Sequence, residues 1–188
     1  MVSGTHERIL DVMQLLIQTR GYSAISYQSI ADELGIRKAS VHYHFATKEV
    51  LGIAVVERYR EQINEMLESM ADENDAWVRL DGYLVPFLTF GESGDRICLC
   101  GALAGESLAL PDAQRELVAE FFDEHQEWLA RLLSSGRKTT HFSFKSSPRQ
   151  LARLTFSALQ GALIVKRATG DAGQITDVVA ELKSRIRG

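Results

Sequence analysis

Ile30-Ala31-Asp32-Glu33-Leu34-Gly35-Ile36-Arg37-Lys38-Ala39-Ser40-Val41-His42-Tyr43-His44-Phe45 reads as two short helices joined at a glycine. Ser26 is a good N-cap for the first, which buries Ile30, Ala31 and Leu34. Gly35 makes the turn, and a second helix runs from about Lys38 to Phe45, anchored by Val41 and Phe45. Two short helices around a Gly-containing turn fit a helix-turn-helix, whose second helix enters the major groove. Packing alone would explain the apolar residues. It does not explain Arg37, Lys38, Ser40, His42, Tyr43 and His44, which concentrate cationic, hydroxyl and aromatic donors in one short helix. A surface that meets phosphates has a use for such donors.

The pattern outward from this stretch is helical nearly throughout. Upstream, Ile9, Val12, Met13, Leu16 and Ile17 share one face of a helix that ends at Gly21. Downstream, Thr47 caps a long helix striped by Leu51, Val55, Tyr59, Ile63, Met66 and Met70, ending in the acidic stretch 72–75. Further helices are expected at about 75–91, 96–109, 111–135, 148–169 and 174–187. Ser147-Pro148-Arg149-Gln150, a capping box with proline at the first helical position, gives the clearest start. His141–Phe144 is the sole hint of a strand. The expected fold is all-α: an N-terminal three-helix head with the helix-turn-helix at 1–47, and a larger C-terminal helical body at 48–188.

A chain of 188 residues can bury a core without help from metals or disulfides. It has no apolar run long enough to span a membrane and no secretory-type start, so no membrane partner is expected and the cytoplasm is the expected compartment. The net charge of −4 argues against nucleic acid only as an average. Glu57–Asp81 holds eight acids to three bases, and Glu106–Glu127 seven to one, whereas the first 47 residues balance at four each. DNA responds to the local patch. Arg131–Arg153 carries six bases and no acid, and the acidic run Glu116–Glu127 is its most plausible partner.

The run Gly21-Tyr22 … Ser26 … Ile30-Ala31 … Leu34-Gly35-Ile36-Arg37-Lys38-Ala39-Ser40-Val41-His42-Tyr43-His44-Phe45-Ala46-Thr47-Lys48-Glu49-Val50-Leu51 closely resembles the head of the tetracycline-repressor (TetR) family. The resemblance covers about residues 5–55. It implies a homodimeric transcriptional regulator, usually a repressor, with a body that binds a small inducer and carries the dimer interface. It also implies a groove-reading helix at Arg37–His44 and phosphate contacts at Ser26, Tyr43 and Lys48. Arg37 stands where Ser often caps that helix in the family, and His42 where Tyr is commoner. The expected DNA-contacting set is Ser26, Tyr27, Arg37, Lys38, Ala39, Ser40, His42, Tyr43, His44 and Lys48, and the expected partner is double-stranded operator DNA.

In the body, Trp77, Tyr83, Phe87, Phe90, Cys98, Phe121, Phe122, His125, Trp128 and Gln160 are candidates for an inducer pocket, although aromatic residues at helical spacing also build cores. Leu151, Leu154, Thr155, Ala158, Ala162 and Val165 stripe one late helix, and Val178 and Leu182 belong to the stripe of the next. The resemblance favours these helices as the dimer contact, a two-fold that matches a palindromic operator.

Other readings are weaker on the residues. Cys98 and Cys100 are spaced Cys-x-Cys, unlike the redox Cys-x-x-Cys, and no catalytic, metal-binding or phosphate-loop spacing appears; no enzyme activity, cofactor or metal is expected. Cys98, read as lying near the start of the 96–109 helix beside Arg96, is a candidate electrophile sensor within the regulator reading. An adaptor that does not bind DNA leaves the donor set at Arg37–Lys48 unexplained.

Overall fold

The computed structural model describes residues 4–187. These form nine α-helices: α1 (Thr5–Arg20), α2 (Tyr27–Leu34), α3 (Lys38–His44), α4 (Lys48–Glu68), α5 (Ala76–Glu92), α6 (Leu99–Ala104), α7 (Asp112–Lys138), α8 (Pro148–Thr169) and α9 (Gly173–Arg187). A single 3-10 turn lies at Ser107–Ala109. No strand occurs among the described residues, and His141–Phe144 is loop and bend. Contacts divide the described residues into two units. One takes those of Met1–Gln62 and Leu99–Glu120, the other those of Ile63–Cys98 and Phe121–Gly188. Helices α4 and α7 therefore each contribute residues to both units.

In the first unit, α1 buries Ile9, Leu10, Met13, Leu16 and Ile17, the one-sided stripe its sequence periodicity requires. Ser26 begins α2: its Oγ accepts the Ser29 N–H at 3.1 Å, and Ser29 Oγ accepts the Ser26 N–H at 3.0 Å. Gly35 ends α2 at φ 65°, in the left-handed region where glycine has no Cβ penalty. Thr47 Oγ1 caps α4 by accepting the Val50 N–H at 3.1 Å.

The expected helix at 96–109 is cut down. Residues 96–98 precede α6, which has only six residues, and the chain then breaks into the 3-10 turn. A long-range contact accounts for the break. The Glu106 carboxylate accepts the backbone N–H groups of Tyr22 at 2.7 Å and Ser23 at 2.8 Å, in the α1–α2 loop. Gly21 makes room for it, since a Cβ at that position would collide with the carboxylate.

In the second unit, α8 starts with the expected box: Ser147 Oγ accepts the Gln150 N–H at 3.2 Å, with Pro148 in the first turn. Helices α8 and α9 pack on one another and on α5. At Gly91 of α5 a Cβ would strike Ile175 of α9, so the glycine permits the approach. Lys166 of α8 is buried, and its ammonium donates to the Phe90 carbonyl at 2.9 Å and to that of Gly94, closing the C-terminal end of α5.

Candidate functional site

The first candidate surface is α3. Its seven residues bury only Val41, which holds the helix to the core and turns the rest outward. Arg37, Lys38, Ala39, His42 and Tyr43 are exposed, as is Ser26 at the start of α2, while Ser40, His44 and Lys48 are half-buried. Tyr43 is 87% exposed, its ring meeting only the edge of the neighbouring His44 at 5.3 Å among the described ring contacts. Arg37 precedes the first turn and is exposed, so its guanidinium, a donor that cannot cap the helix, faces outward toward an outside acceptor. Lys48 lies 4.3 Å above the Tyr22 ring, and the Tyr22 hydroxyl donates to the Lys48 carbonyl at 3.2 Å. Burial lowers the Lys48 pKa, and the Glu106 carboxylate opposes that shift. One expected DNA contact is corrected. Tyr27 is 6% exposed and its hydroxyl donates to the Phe45 carbonyl at 2.9 Å, so it is a core residue that ties α2 to the end of α3.

Glu106 belongs beside these residues and was not among the sequence candidates. Burial raises its carboxyl most, but hydrogen bonds from Ser23 and Tyr22 and the Lys48 charge together outweigh it and hold the carboxyl below the ordinary value of 4.5. A signal existed. An acid in the last turn of the helix expected at 96–109 faces the negative end of that helix's dipole and implies a compensating partner elsewhere.

The second candidate site is an aromatic cluster in the other unit. Tyr83 and Phe87 come from α5, Phe121, Phe122, His125 and Trp128 from α7, and Phe156 from α8. Tyr83 stacks on Trp128 at 5.2 Å between ring centres, and His125 lies 4.2 Å from Phe121 and 5.3 Å from Phe156. Sequence reading missed Phe156, although Gln160, one helical turn further along α8, points to the same face.

The hydroxyl of Tyr83 and Nδ1 of His125 are 3.1 Å apart, both buried. Nε2 of His125 has no hydrogen-bond partner among the described residues. A neutral imidazole has one donor nitrogen and one acceptor nitrogen. If Nδ1 carried the proton, both the Tyr83 O–H and Nε2 would be left unsatisfied. With Tyr83 donating to Nδ1, only the Nε2–H is left, so that tautomer is assigned. Burial lowers the His125 pKa to about 4, which keeps the ring neutral at pH 7. Burial, with a contribution from Cys98, pushes the Tyr83 phenol well above 10. Gln160 is half-buried, and its Nε2 is likewise buried with no partner among the described residues.

Not every expected pocket residue joins the cluster. Trp77 packs edge-on against Phe142 at 4.9 Å and donates its indole N–H to the His141 carbonyl at 2.9 Å, so it pins a loop. Phe90 lies under the Arg96 guanidinium. Cys98, buried just ahead of α6 and not on it, does reach the cluster, since it contributes to raising the Tyr83 phenol, and neither cysteine forms a disulfide. Among the described residues no group of three or more His, Cys, Asp or Glu could hold a metal ion, and no helix is long and apolar enough to cross a membrane.

The expected interface stripe divides. Leu151, Thr155, Ala162 and Leu182 are buried within the chain itself. Leu154 and Val165 are 49% and 43% exposed, Ala158 and Val178 are half-buried, and Ile164 adds another exposed apolar side chain. Leu154, Ala158, Val178 and the rim of Leu182 line a largely apolar groove between α8 and α9, flanked by Asp177, Glu181 and Arg185. In the basic tract, Arg131 reaches Glu127 at 3.9 Å, whereas Arg149 and Arg153 share a surface cleft with Asp123 and Glu127.

Residues 9–55 match the family described as bacterial regulatory proteins, tetR family, and residues 79–182 match the tetracyclin repressor-like C-terminal domain. The HTH-type transcriptional repressor NemR of Escherichia coli (strain K12) is 23% identical over 188 residues, covering 97% of this chain and 94% of the relative. A TetR transcriptional regulator from Legionella pneumophila superposes with a TM-score of 0.88 at 30% identity, covering 98% of each chain. A TetR-family regulator from Agrobacterium tumefaciens gives 0.91 at 26% identity, covering 97% of each.

Proposed function

Since the chain belongs to the tetR family of bacterial regulatory proteins, we propose that it is a dimeric DNA-binding repressor released from a palindromic operator by a small-molecule inducer. The observation that carries the reading is the α3 face, where Arg37, Lys38, His42 and the 87%-exposed Tyr43 stand outward on a helix anchored by one buried valine. Arg37 and Lys38 suit base edges, each good bidentate pair being worth about 1–3 kcal/mol of discrimination. Ser26, Tyr43 and Lys48 suit phosphates, with Ala39, Ser40 and His44 completing the contact. The DNA-reading head is 1–47, and 48–188 is the ligand-binding and dimerisation body. The E. coli relative is named a repressor, which supports repression over activation here.

The groove on α8 and α9 is the proposed dimer surface, used by Leu154, Ala158, Val165 and Val178. A two-fold contact there would present two α3 helices to two half-sites one helical turn or a multiple of it apart. The inducer site is the cluster around Tyr83 and His125, where neutral polar atoms lie among aromatic rings. An electrophile-sensing cysteine is the weaker reading, because both thiols are buried.

Gel shift with DNA from upstream of the chain's own gene tests the reading. A single retarded dimer complex is expected. Lys48→Ala should weaken operator and non-specific DNA alike and reduce the salt slope by about 0.9, the share of one phosphate. Arg37→Ala should instead relax preference at one base pair. Absence of a shift at low salt refutes the reading.

A further inference from the structure

The buried polar atoms of the second unit define a chemistry as well as a place. The Tyr83 hydroxyl is spent on His125 Nδ1, which leaves the Nε2–H of His125 as a donor. On α8, the Gln160 Nε2 is a second buried donor with no partner among the described residues. Both belong to uncharged groups, and the rings around His125 are those of Phe121 and Phe156. A surface cleft of about 360 Å³ has Trp128 and Leu67 in its wall, with the charged side chains of Glu68, Arg79, Glu124, Glu127 and Arg131 around them. Trp128 is stacked on Tyr83, so one indole separates the cleft from the Tyr83–His125 pair.

We propose that the inducer is an uncharged aromatic carbonyl compound, which enters past Trp128 and places its carbonyl oxygen on the Nε2–H of His125, with the Gln160 amide as second donor. This rests on the small-molecule regulation proposed above and names the class of molecule. An acceptor oxygen satisfies the His125 donor, the Gln160 amide stands one helical turn along α8 from the Phe156 ring that lies 5.3 Å from His125, and an apolar ring replaces the aromatic contacts that Trp128 gives up. A carboxylate or ammonium set against His125 would have to shed its water among the rings of Phe121 and Phe156, while the charged side chains of the cleft, Arg79 and Arg131 with Glu68, Glu124 and Glu127, line it outside Trp128, which disfavours both. A hydrocarbon of the same shape would fill the space and leave the donors unsatisfied.

Isothermal calorimetry with 2-acetylnaphthalene, 2-ethylnaphthalene and 2-naphthoate on the full chain separates these cases. The ketone is expected to bind at least tenfold more tightly than the hydrocarbon, and the carboxylate to give no heat. His125→Phe, which keeps a ring, should remove most of the ketone's advantage over the hydrocarbon. Gln160→Leu, at a half-buried position, should narrow the gap without abolishing it, and it covers the case in which the histidine variant fails to fold. Tighter binding of the carboxylate, equal binding of ketone and hydrocarbon to the parent chain, no binding of any of the three, or a ketone preference that survives both variants overturns the proposal. Fluorescence anisotropy on promoter DNA, run in parallel without these compounds, tests the regulator reading by itself. A chain that binds DNA and ignores the ketone fails only the present inference.

Discussion

His125 gives the fold a calculable sensitivity to acid. Its pKa is held near 4 in the fold, against 6.5 for an ordinary histidine. Between those values the unfolded chain takes up a proton that the folded chain refuses, so acidification favours unfolding. The folded pKa is the lower of the two. The contribution is therefore intact above pH 6.5 and disappears as the pH falls toward 4. Each pH unit within that window is worth about 1.4 kcal/mol. Acidifying from pH 7.5 to 5 should remove about 2 kcal/mol through this one side chain, and the full window about 3 kcal/mol. Against a total stability of about 5–15 kcal/mol, that is readily measured. Urea unfolding of the parent chain and of His125→Phe, at four values between pH 7.5 and 5, isolates it. The variant leaves the Tyr83 hydroxyl without its acceptor, a cost of about 1–3 kcal/mol that does not change over this pH range. The parent should lose about 2 kcal/mol more than the variant from pH 7.5 to 5, with unchanged urea dependence. Parallel pH profiles would refute both the burial argument and the neutral tautomer built on it.

Three further outcomes are expected. Glu106→Gln leaves one uncharged acceptor oxygen for two N–H groups and turns an amide NH2 toward the other, which should cost about 1–3 kcal/mol in unfolding. Because the Glu106 carboxyl lies below 4.5 in the fold, its contribution is present above that value and lost as pH falls through the lowered one, so the variant should also flatten the acid limb of the stability profile. Gly52→Ala would put a Cβ 2.9 Å from both amide atoms of the fully buried Gln114, and urea unfolding should show a loss of about 1–3 kcal/mol from overpacking. Leu154→Glu, at a 49%-exposed site, should yield folded monomers in sedimentation, whereas Ala162→Glu, at a 3%-exposed site, should unfold the chain; a folded dimer from Leu154→Glu moves the interface off this groove.

The head was legible in the sequence because its determinants are local. Ser26, Gly35 and the apolar period of α1 act within a turn or two of their own positions, and each reads the same in isolation as in the fold. The 96–109 region was not, because the element that ends α6 early is a carboxylate drawn to N–H groups 84 and 83 residues away. No periodicity can carry that information. Tyr27 fails for a related reason. Its position among the donors of the head is visible, but whether its hydroxyl points out or in depends on the Phe45 carbonyl. The late helices show the limit of a stripe: Leu151 and Leu154 look alike in sequence yet are buried and half-exposed respectively, because the inward face of α8 is chosen by α5 and α9.

Release of an operator needs a ligand that prefers the conformer that does not bind DNA, and a hundredfold release requires about 2.7 kcal/mol of preference. Tight binding without preference would accomplish nothing. A single buried donor changing from unsatisfied to satisfied is worth about 1–3 kcal/mol, which is the scale required. The His125 Nε2–H is such a donor, so a ligand that satisfies it gains most of the coupling energy from one hydrogen bond, provided the DNA-binding conformer keeps that donor closed off. Helices α4 and α7, which supply residues to both units, are the continuous elements able to carry such a bias between them. The Glu106 clamp then acquires a role distinct from stability. A variant that loosens it should leave ketone binding at His125 unchanged while weakening the response of DNA affinity to the ketone. Equal loss of both would make Glu106 merely structural.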